Sequence, residues 1–339
     1  MTGIHRATAR PTLEAVAAKA GVGRGTVSRV VNGSPKVSDR ARHAVLQAID
    51  ELGYVPNRAA RSLVTRRTDT VALVVSECRQ RIFDEPFFAG IIRGIGSALS
   101  ETGLQLILAM AQSPEEHQRL ARYLTCQHVD GVLLLSLHGA DPLPGHLEAM
   151  GVPTVVGGKP VGLSPVCYVD VDNRAGARQA VEHLIMRGRR RIATIAGAQD
   201  MGAGADRLAG FHDAVGGGAA AGPVAYGDFS EGSGMMAMRE LMELDPEIDA
   251  VFAASDTMAI GAMRALRERG LEVPRDIAVA GFDDSHAAAH TDPPLTTVHQ
   301  PTDAMGRRMA HMLIARINGE TPAQPVVILP PHLVTRAST

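Results

Sequence analysis

Lysine and cysteine are scarce in this 339-residue chain, with three of each against 31 arginines. Cys78, Cys126 and Cys167 stand dozens of residues apart among apolar neighbours, so neither a disulfide framework nor a paired-cysteine metal site can be built from them. They read as reduced core residues. No apolar run approaches the ~20 residues a bilayer span needs, and the segment from Met1 to Arg10 lacks the apolar stretch of a secretory signal. A cytoplasmic protein is expected. The phosphate-cradling GxxxxGK[ST] loop and the GxSxG nucleophile elbow are missing. The glycine-rich run GVGRG at 21–25 follows no strand pattern. No cofactor is expected, and the arginine bias suits a G+C-rich genome.

What is present is ample material for folding. At 45% hydrophobic and 21% charged the chain is globular in composition, and its length calls for two or three domains. The net charge of −2 conceals a division. Residues 1–67 hold twelve Lys and Arg against four acids, a net of +8, while the remainder holds 22 against 32, a net of −10. A basic head before an acidic body suggests a nucleic-acid-binding unit joined to one that avoids phosphate.

The head carries apolar stripes at helical spacing. Leu13, Val16, Ala17 and Ala20 follow a Thr12 cap and stop at Gly21-Val22-Gly23; Val27, Val30 and Val31 end near Asn32-Gly33. A third stripe, Ala41, Ala44, Val45, Ala48, Ile49 and Leu52, lies between Ser38 and Gly53. Two short helices across a glycine turn, closed by a third, form a helix-turn-helix whose second helix enters the major groove. Arg24 and Arg29 are the expected base readers, because a guanidinium can donate twice to guanine. Thr12, Thr26, Ser28 and Asn32 are expected at phosphates, and Gly25 permits close approach of the helix.

The stretches TLEAVAAKAGVGRGTVSRVVNGSPKVS and LGYVPNRAARSL are similar to the head of LacI/GalR-type bacterial repressors. The resemblance runs to the end of the chain. It implies a hinge helix that forms when two subunits meet on DNA, with Asn57 as its cap, Ala60 at the helix pair's contact and Leu63 wedged into the minor groove. Arg58 would serve nearby phosphates. A resemblance to regulators of actinobacteria that respond to cellobiose and related β-glucosides rests on RAARSLVTRRTDTVALVVSE and HVDGVLLLSLH.

From Thr70 the pattern changes to apolar strands between helical stretches: TVALVV, LQLILAM, DGVLLLS, PTVVG, RRIATIAG, DAVFAAS and DIAVAGF. Such alternation predicts an α/β body with two doubly wound parallel-sheet lobes. The resemblance implies the periplasmic-binding-protein type I arrangement, with three crossings between lobes. The expected domains are a helix-turn-helix head at 1–55, a hinge at 56–68 and a body at 69–339. Lobe one would take about 69–170 and 301–327, and lobe two about 171–300 and 328–339. Ligands of parallel sheets bind beyond the strands' carboxyl ends. A sugar there would pair its hydroxyls with carboxylates and Arg, and its apolar face with an aromatic ring. By resemblance Arg207 in DRLAGF, Asp283 in GFDD and Asp172 in VDVDN are the leading effector contacts. Asp256 in SDTMAIGA, Phe87, Phe88 and Lys159 follow. Asp172 and Asp256 can equally be helix caps, and one of the two phenylalanines can be core. Where many sugar-responsive relatives carry a carboxylate, this chain has Gly157-Gly158-Lys159, so the ligand's polar groups differ there or room is made for a larger one.

Three other classes compete. Asp283-Asp284 imitates a glycosidase pair, yet neighbouring strand residues point to opposite faces. His286 and His290 have the i,i+4 spacing of zinc ligands without an acid between them, and no metal is expected. A transport-type sugar-binding protein shares the body but not the basic head. The reading favoured is a homodimeric regulator of sugar-utilisation genes on a palindromic operator, not an enzyme, with no membrane partner. Co-repression and a non-sugar ligand stay open. The chain stops at HLVTRAST without the leucine heptads of tetrameric relatives, so a dimer is expected.

Overall fold

The computed structural model describes residues 11–55, 67–77, 79–111, 113–162, 167–216 and 220–339. Its contacts divide the chain into Met1–Thr68 and Asp69–Thr339.

The first unit contains α1 (Leu13–Ala20), α2 (Arg24–Val31) and α3 (Asp39–Leu52). The hydroxyl of Thr12 accepts from the Ala15 N–H at 3.3 Å, and that of Ser38 accepts from Ala41 at 3.4 Å, so both helices open on a side-chain cap. Both close on glycines in the left-handed region, Gly21 at φ 65° and Gly53 at φ 61°, which cost no Cβ clash. Val16, Val27 and Val45, one from each helix, are wholly buried, and Tyr54 joins them as a residue the stripes did not announce. With so few large side chains this core depends on each valine, at about 1.5–3 kcal/mol apiece.

In the second unit β1 (Thr70–Val75), β2 (Gln105–Met110), β3 (Gly131–Leu135), β4 (Thr154–Gly157) and β5 (Cys167–Val171) join β11 (Val326–Leu329) in one parallel sheet. Its order is β11-β5-β4-β3-β1-β2. A second parallel sheet runs β7-β6-β8-β9, from β6 (Arg191–Ala196), β7 (Ala220–Tyr226), β8 (Ala250–Ala253) and β9 (Ala278–Ala280). A two-stranded antiparallel ribbon pairs β10 (Thr297–His299) with β12 (His332–Val334). Along the chain the backbone leaves the first sheet after β5, returns after β10 and leaves again after β11, three crossings in all.

Helices cover both faces of each sheet. In chain order they are α4 (Arg79–Asp84), α5 (Pro86–Leu99), α6 (Pro114–Thr125), α7 (Leu143–Ala149), α8 (Asn173–Met186), α9 (Gly202–Val215), α10 (Glu231–Leu244), α11 (Asp256–Glu268) and α12 (Thr302–Ile317). The fully buried β1 and β3 read as continuous apolar runs because both their faces are packed. The sequence reading missed β5, β7, β10, β11 and β12. In β7, AAGPVAY, a Gly-Pro pair interrupts the pattern and the register shifts beside it. The others are three to five residues long.

Two expectations need correcting. Cys126 is exposed and Cys167 half-buried, so neither is a core thiol; Cys78 lies outside the described residues. Asp283 and Asp284 lie beyond β9, at φ 123° and 56°, and not on a strand as assumed. Their carboxylates diverge nonetheless, Asp283 toward Arg207 and Gln300, Asp284 toward Arg336 and His299. Among the described residues no helix is long and apolar enough to cross a membrane.

Candidate functional site

The cleft between the two sheets encloses ≈ 740 Å³, open solvent included. Loops beyond the strands' carboxyl ends line it from both lobes. Three of those residues, Ser136 at φ 54°, Phe229 at φ 71° and Asp283 at φ 123°, hold backbone conformations that side-chain-bearing residues rarely adopt. Such strain persists where surrounding structure enforces it, and it gathers at ligand sites.

Arg207 on α9 organises the lobe-two wall. It is 5% exposed, donates to the Asn173 Oδ1 at 2.9 Å and to the Ala254 carbonyl at 2.6 Å, and stands 3.5 Å from the Asp283 carboxylate. Its guanidinium also stacks 3.8 Å from the centroid of Phe282. Burial pulls its pKa below the usual guanidinium value, opposed by Asp283 and Asp170. Burial pushes the Asp283 carboxyl upward, against Arg207 and the Gln300 amide, which donates at 2.6 Å. Asp170, from the end of β5, accepts from the Lys159 N–H at 2.9 Å and the Asn173 amide at 3.1 Å; burial raises it to about 6.

The lobe-one wall carries a second arginine. Arg81 is paired with Glu77 and, at 2.6 Å, with Glu85, and its guanidinium lies 4.9 Å from the Phe229 ring centroid. Burial works against its charge, but the two carboxylates raise its pKa overall. Glu85 in turn is raised to about 7 by burial, with Arg81 opposing. Phe87 and Phe88 meet edge to face with centroids 5.3 Å apart; Phe88 is wholly buried and Phe87 half-buried. Hydrogen-bonding groups on both walls, with the Phe229 and Phe87 rings between them, suit a flat polyhydroxylated ligand. Among the described residues no histidine or cysteine lines this cleft.

In the head, Arg24 opens α2 and lies 3.2 Å from Glu14, both side chains exposed. Gly25 beside it is exposed, and a Cβ there would meet nothing within 4 Å. Arg29 is exposed in the last turn, and Thr26 is half-buried. Ser28 accepts from the Asn32 amide at 3.4 Å, while the Asn32 Oδ1 is buried without a partner. Thr12 caps α1 yet stays exposed. Asn57, Arg58, Ala60 and Leu63 lie outside the described residues.

Comparison with known proteins agrees with both units. The family of bacterial regulatory proteins, lacI family, matches residues 12–57, and the periplasmic binding protein-like domain matches residues 181–339. Over 337 residues the chain is 59% identical to the HTH-type transcriptional regulator CelR of Thermobifida fusca, covering 97% of this chain and 98% of that one. The chain belongs to the LacI family. It is also 35% identical, over 335 residues and 96% of each chain, to the repressor PurR of Salmonella paratyphi B. Among solved structures, a transcriptional regulator CelR–cellobiose complex superposes with a TM-score of 0.78 at 57% identity, covering 97% of this chain and 100% of that one. The Lac repressor dimer bound to operator and the anti-inducer ONPF gives a TM-score of 0.86 at 29% identity, covering 97% and 99%.

For this LacI-family chain, the positions expected at the effector divide into two groups. Phe87, Phe88, Lys159, Arg207 and Asp283 come together in the cleft. Asp172 does not: it is an exposed cap that accepts from the Ala175 N–H at 2.9 Å, and its neighbours Asp170 and Asn173 line the cleft instead. Asp256 lies behind the lining, wholly buried, bound to Thr297 and to the Ser285 N–H. Nor is it the cap of α11, a role taken by Ser255. Burial and the nearby Asp283 raise it to about 8. Lys159 turns its ammonium to Asp206, 3.1 Å away on α9. Gly157 makes no room for ligand, because a Cβ there would lie 2.3 Å from Leu135 and 2.8 Å from Met309.

Sequence reasoning did not single out Arg81, Glu85, Phe229 or Gln300. The i,i+4 run Glu77, Arg81, Glu85 was a readable signal of paired charges. Phe229 was hidden by the missed strand β7 before it. His286 and His290 stack with ring centroids 4.3 Å apart, His290 bonding the His286 carbonyl. Among the described residues no three His, Cys, Asp or Glu gather to hold a metal.

Proposed function

We propose that the chain is a cytoplasmic, homodimeric repressor of sugar-utilisation genes, released from a pseudo-palindromic operator when cellobiose or a related β-glucoside oligosaccharide fills the cleft. The observation that carries this reading is the buried Arg207, Asn173, Asp283 and Gln300 cluster facing an aromatic ring. It occurs in a chain so similar to a regulator solved with cellobiose. The lining cations Arg81, Lys159 and Arg207 are each already paired with a carboxylate, which favours an unphosphorylated sugar. In the head, Arg24 and Arg29 on α2 would read bases, and Thr12, Thr26, Ser28 and Asn32 would meet phosphates. Exposed Ile107 and Leu108 on the outer strand β2 offer an apolar edge to a second subunit.

Sugar binding would shift the lobes, alter the dimer contacts of lobe one and melt paired hinge helices around Asn57–Leu63, so operator affinity falls. Linkage then requires DNA to weaken sugar binding by the same factor. No catalysis is assigned to this cleft. Incubation with glycosides should give no product. A thermal-shift screen against mono- and disaccharides tests the reading: a true effector raises the melting temperature with its concentration. A chain indifferent to all sugars contradicts it.

A further inference from the structure

Beside the cleft, a single imidazole joins the two lobes. His138 follows β3 in lobe one, and Asp200 lies between β6 and α9 in lobe two. The His138 Nδ1 is 2.9 Å from the Asp200 carboxylate and its Nε2 is 3.0 Å from that of Glu77. The next residue, Gly139, donates its N–H to the Asp200 carbonyl at 2.8 Å. A carboxylate only accepts, so both ring nitrogens must donate, and only the imidazolium can do that. Consistent with this geometry, the hydrogen bond His138 donates to Glu77 raises its pKa to about 9, burial opposing and Asp200 assisting. Glu77 is itself buried and shared with Arg81, whose guanidinium lies against the cleft ring Phe229. A short chain of contacts therefore runs from Asp200 through His138, Glu77 and Arg81 to the cleft wall. The lobes also approach closely nearby: a Cβ on Gly202 would lie 2.4 Å from the Lys159 carbonyl oxygen.

We propose that His138 is an interlobe clasp, a positioning residue that holds the cleft closed by bridging Glu77 and Asp200 and so slows the escape of whatever the cleft holds. Neither residue belongs to the cleft lining, so the clasp acts on the closing of the lobes and not on ligand contacts. Its effect on effector release rests on the proposed reading of the cleft. The closure itself does not, and it is measured first in ligand-free, full-length protein.

Amide hydrogen exchange followed across residues 136–142 and 198–203 reads the Gly139 to Asp200 contact directly. His138→Gln and Asp200→Asn should each speed exchange there by about 3- to 10-fold, the range of a partly exposed charged hydrogen bond. The double variant should exchange no faster than the faster single one, because both remove the same bond. Asp200 is a surface side chain, so its variant tests the clasp even if a His138 change disturbs folding. In a stopped-flow chase, cellobiose should leave both variants faster by a similar factor with association little changed. Wild-type exchange in both segments, or effects that simply add, overturns the clasp. Faster exchange in a protein that binds no sugar upholds the clasp and counts instead against the sugar reading.

Discussion

Replacing Asp283 with alanine should leave a protein that holds DNA but no longer responds to sugar. The substitution removes the carboxylate 3.5 Å from Arg207 and the acceptor of the Gln300 amide at 2.6 Å. Stripping a buried arginine of every partner costs about 3–5 kcal/mol. Arg207 keeps the Asn173 side chain and the Ala254 carbonyl, so the expected loss of stability is about 1–3 kcal/mol. For a body of this size that lowers the melting temperature by roughly 2–12 °C, leaving it folded at 25 °C. The effect on ligand is separate. A charged acceptor for a sugar hydroxyl contributes about 1.5–3 kcal/mol, so cellobiose should bind roughly 10- to 150-fold more weakly. Titration calorimetry with cellobiose gives the affinity, circular dichroism the melt and fluorescence anisotropy the DNA affinity, which should match wild type. A folded Asp283→Ala protein that releases DNA at the wild-type sugar concentration refutes the placement of the carboxylate at the effector.

Four further outcomes are expected. Arg24→Ala should weaken operator binding by about 1–3 kcal/mol and relax base preference, with cellobiose affinity unchanged in calorimetry. Burial holds Glu85 at about 7, so the folded chain binds a proton there that the unfolded chain has lost. That stabilisation is complete below the usual 4.5 and vanishes as pH rises through about 7. Glu85→Gln stays neutral, so its melting temperature relative to wild type should climb from about pH 5 to about pH 8, and a constant offset would count against the burial argument. Gly210→Ala would place a methyl 2.2 Å from the Arg174 carbonyl oxygen, where α9 packs on α8. It should lower stability by about 1–3 kcal/mol in denaturant titration. Deleting residues 1–67 should leave an acidic protein that binds sugar and has no affinity for DNA by anisotropy.

Local patterns were legible in proportion to how local their causes are. The head's helices follow from Thr12, Ser38, Gly21 and Gly53, whose capping and turn chemistry acts within a few residues, and the stripes from Val16 to Val45 marked its core. Strands buried on both faces, such as β1 and β3, announced themselves as apolar runs. Strands defined by their neighbours did not: β10 and β12 exist because they pair with each other across 32 intervening residues, and nothing in three residues signals that. The cleft was harder still. Arg207 and Asp283 line the cleft, but a one-residue difference in where a side chain points separates Asp172, a surface cap, from Asn173, a lining residue. Asp256 looked like Asp283 in sequence, an acid after a strand; only tertiary packing puts it behind the cleft, against Thr297 and Ser285. The pairing of His138 with Asp200, 62 positions apart, is equally invisible before folding.

The central claim is that one chain couples DNA recognition to sugar occupancy of the cleft. Its most direct test selects tight binders from random duplex DNA with the full-length protein, then titrates cellobiose and glucose into the complex while anisotropy follows release. A two-fold-symmetric sequence should be enriched, and cellobiose should release it while glucose does not. Enrichment of no symmetric site, or a complex that ignores cellobiose at saturating concentration, contradicts the claim.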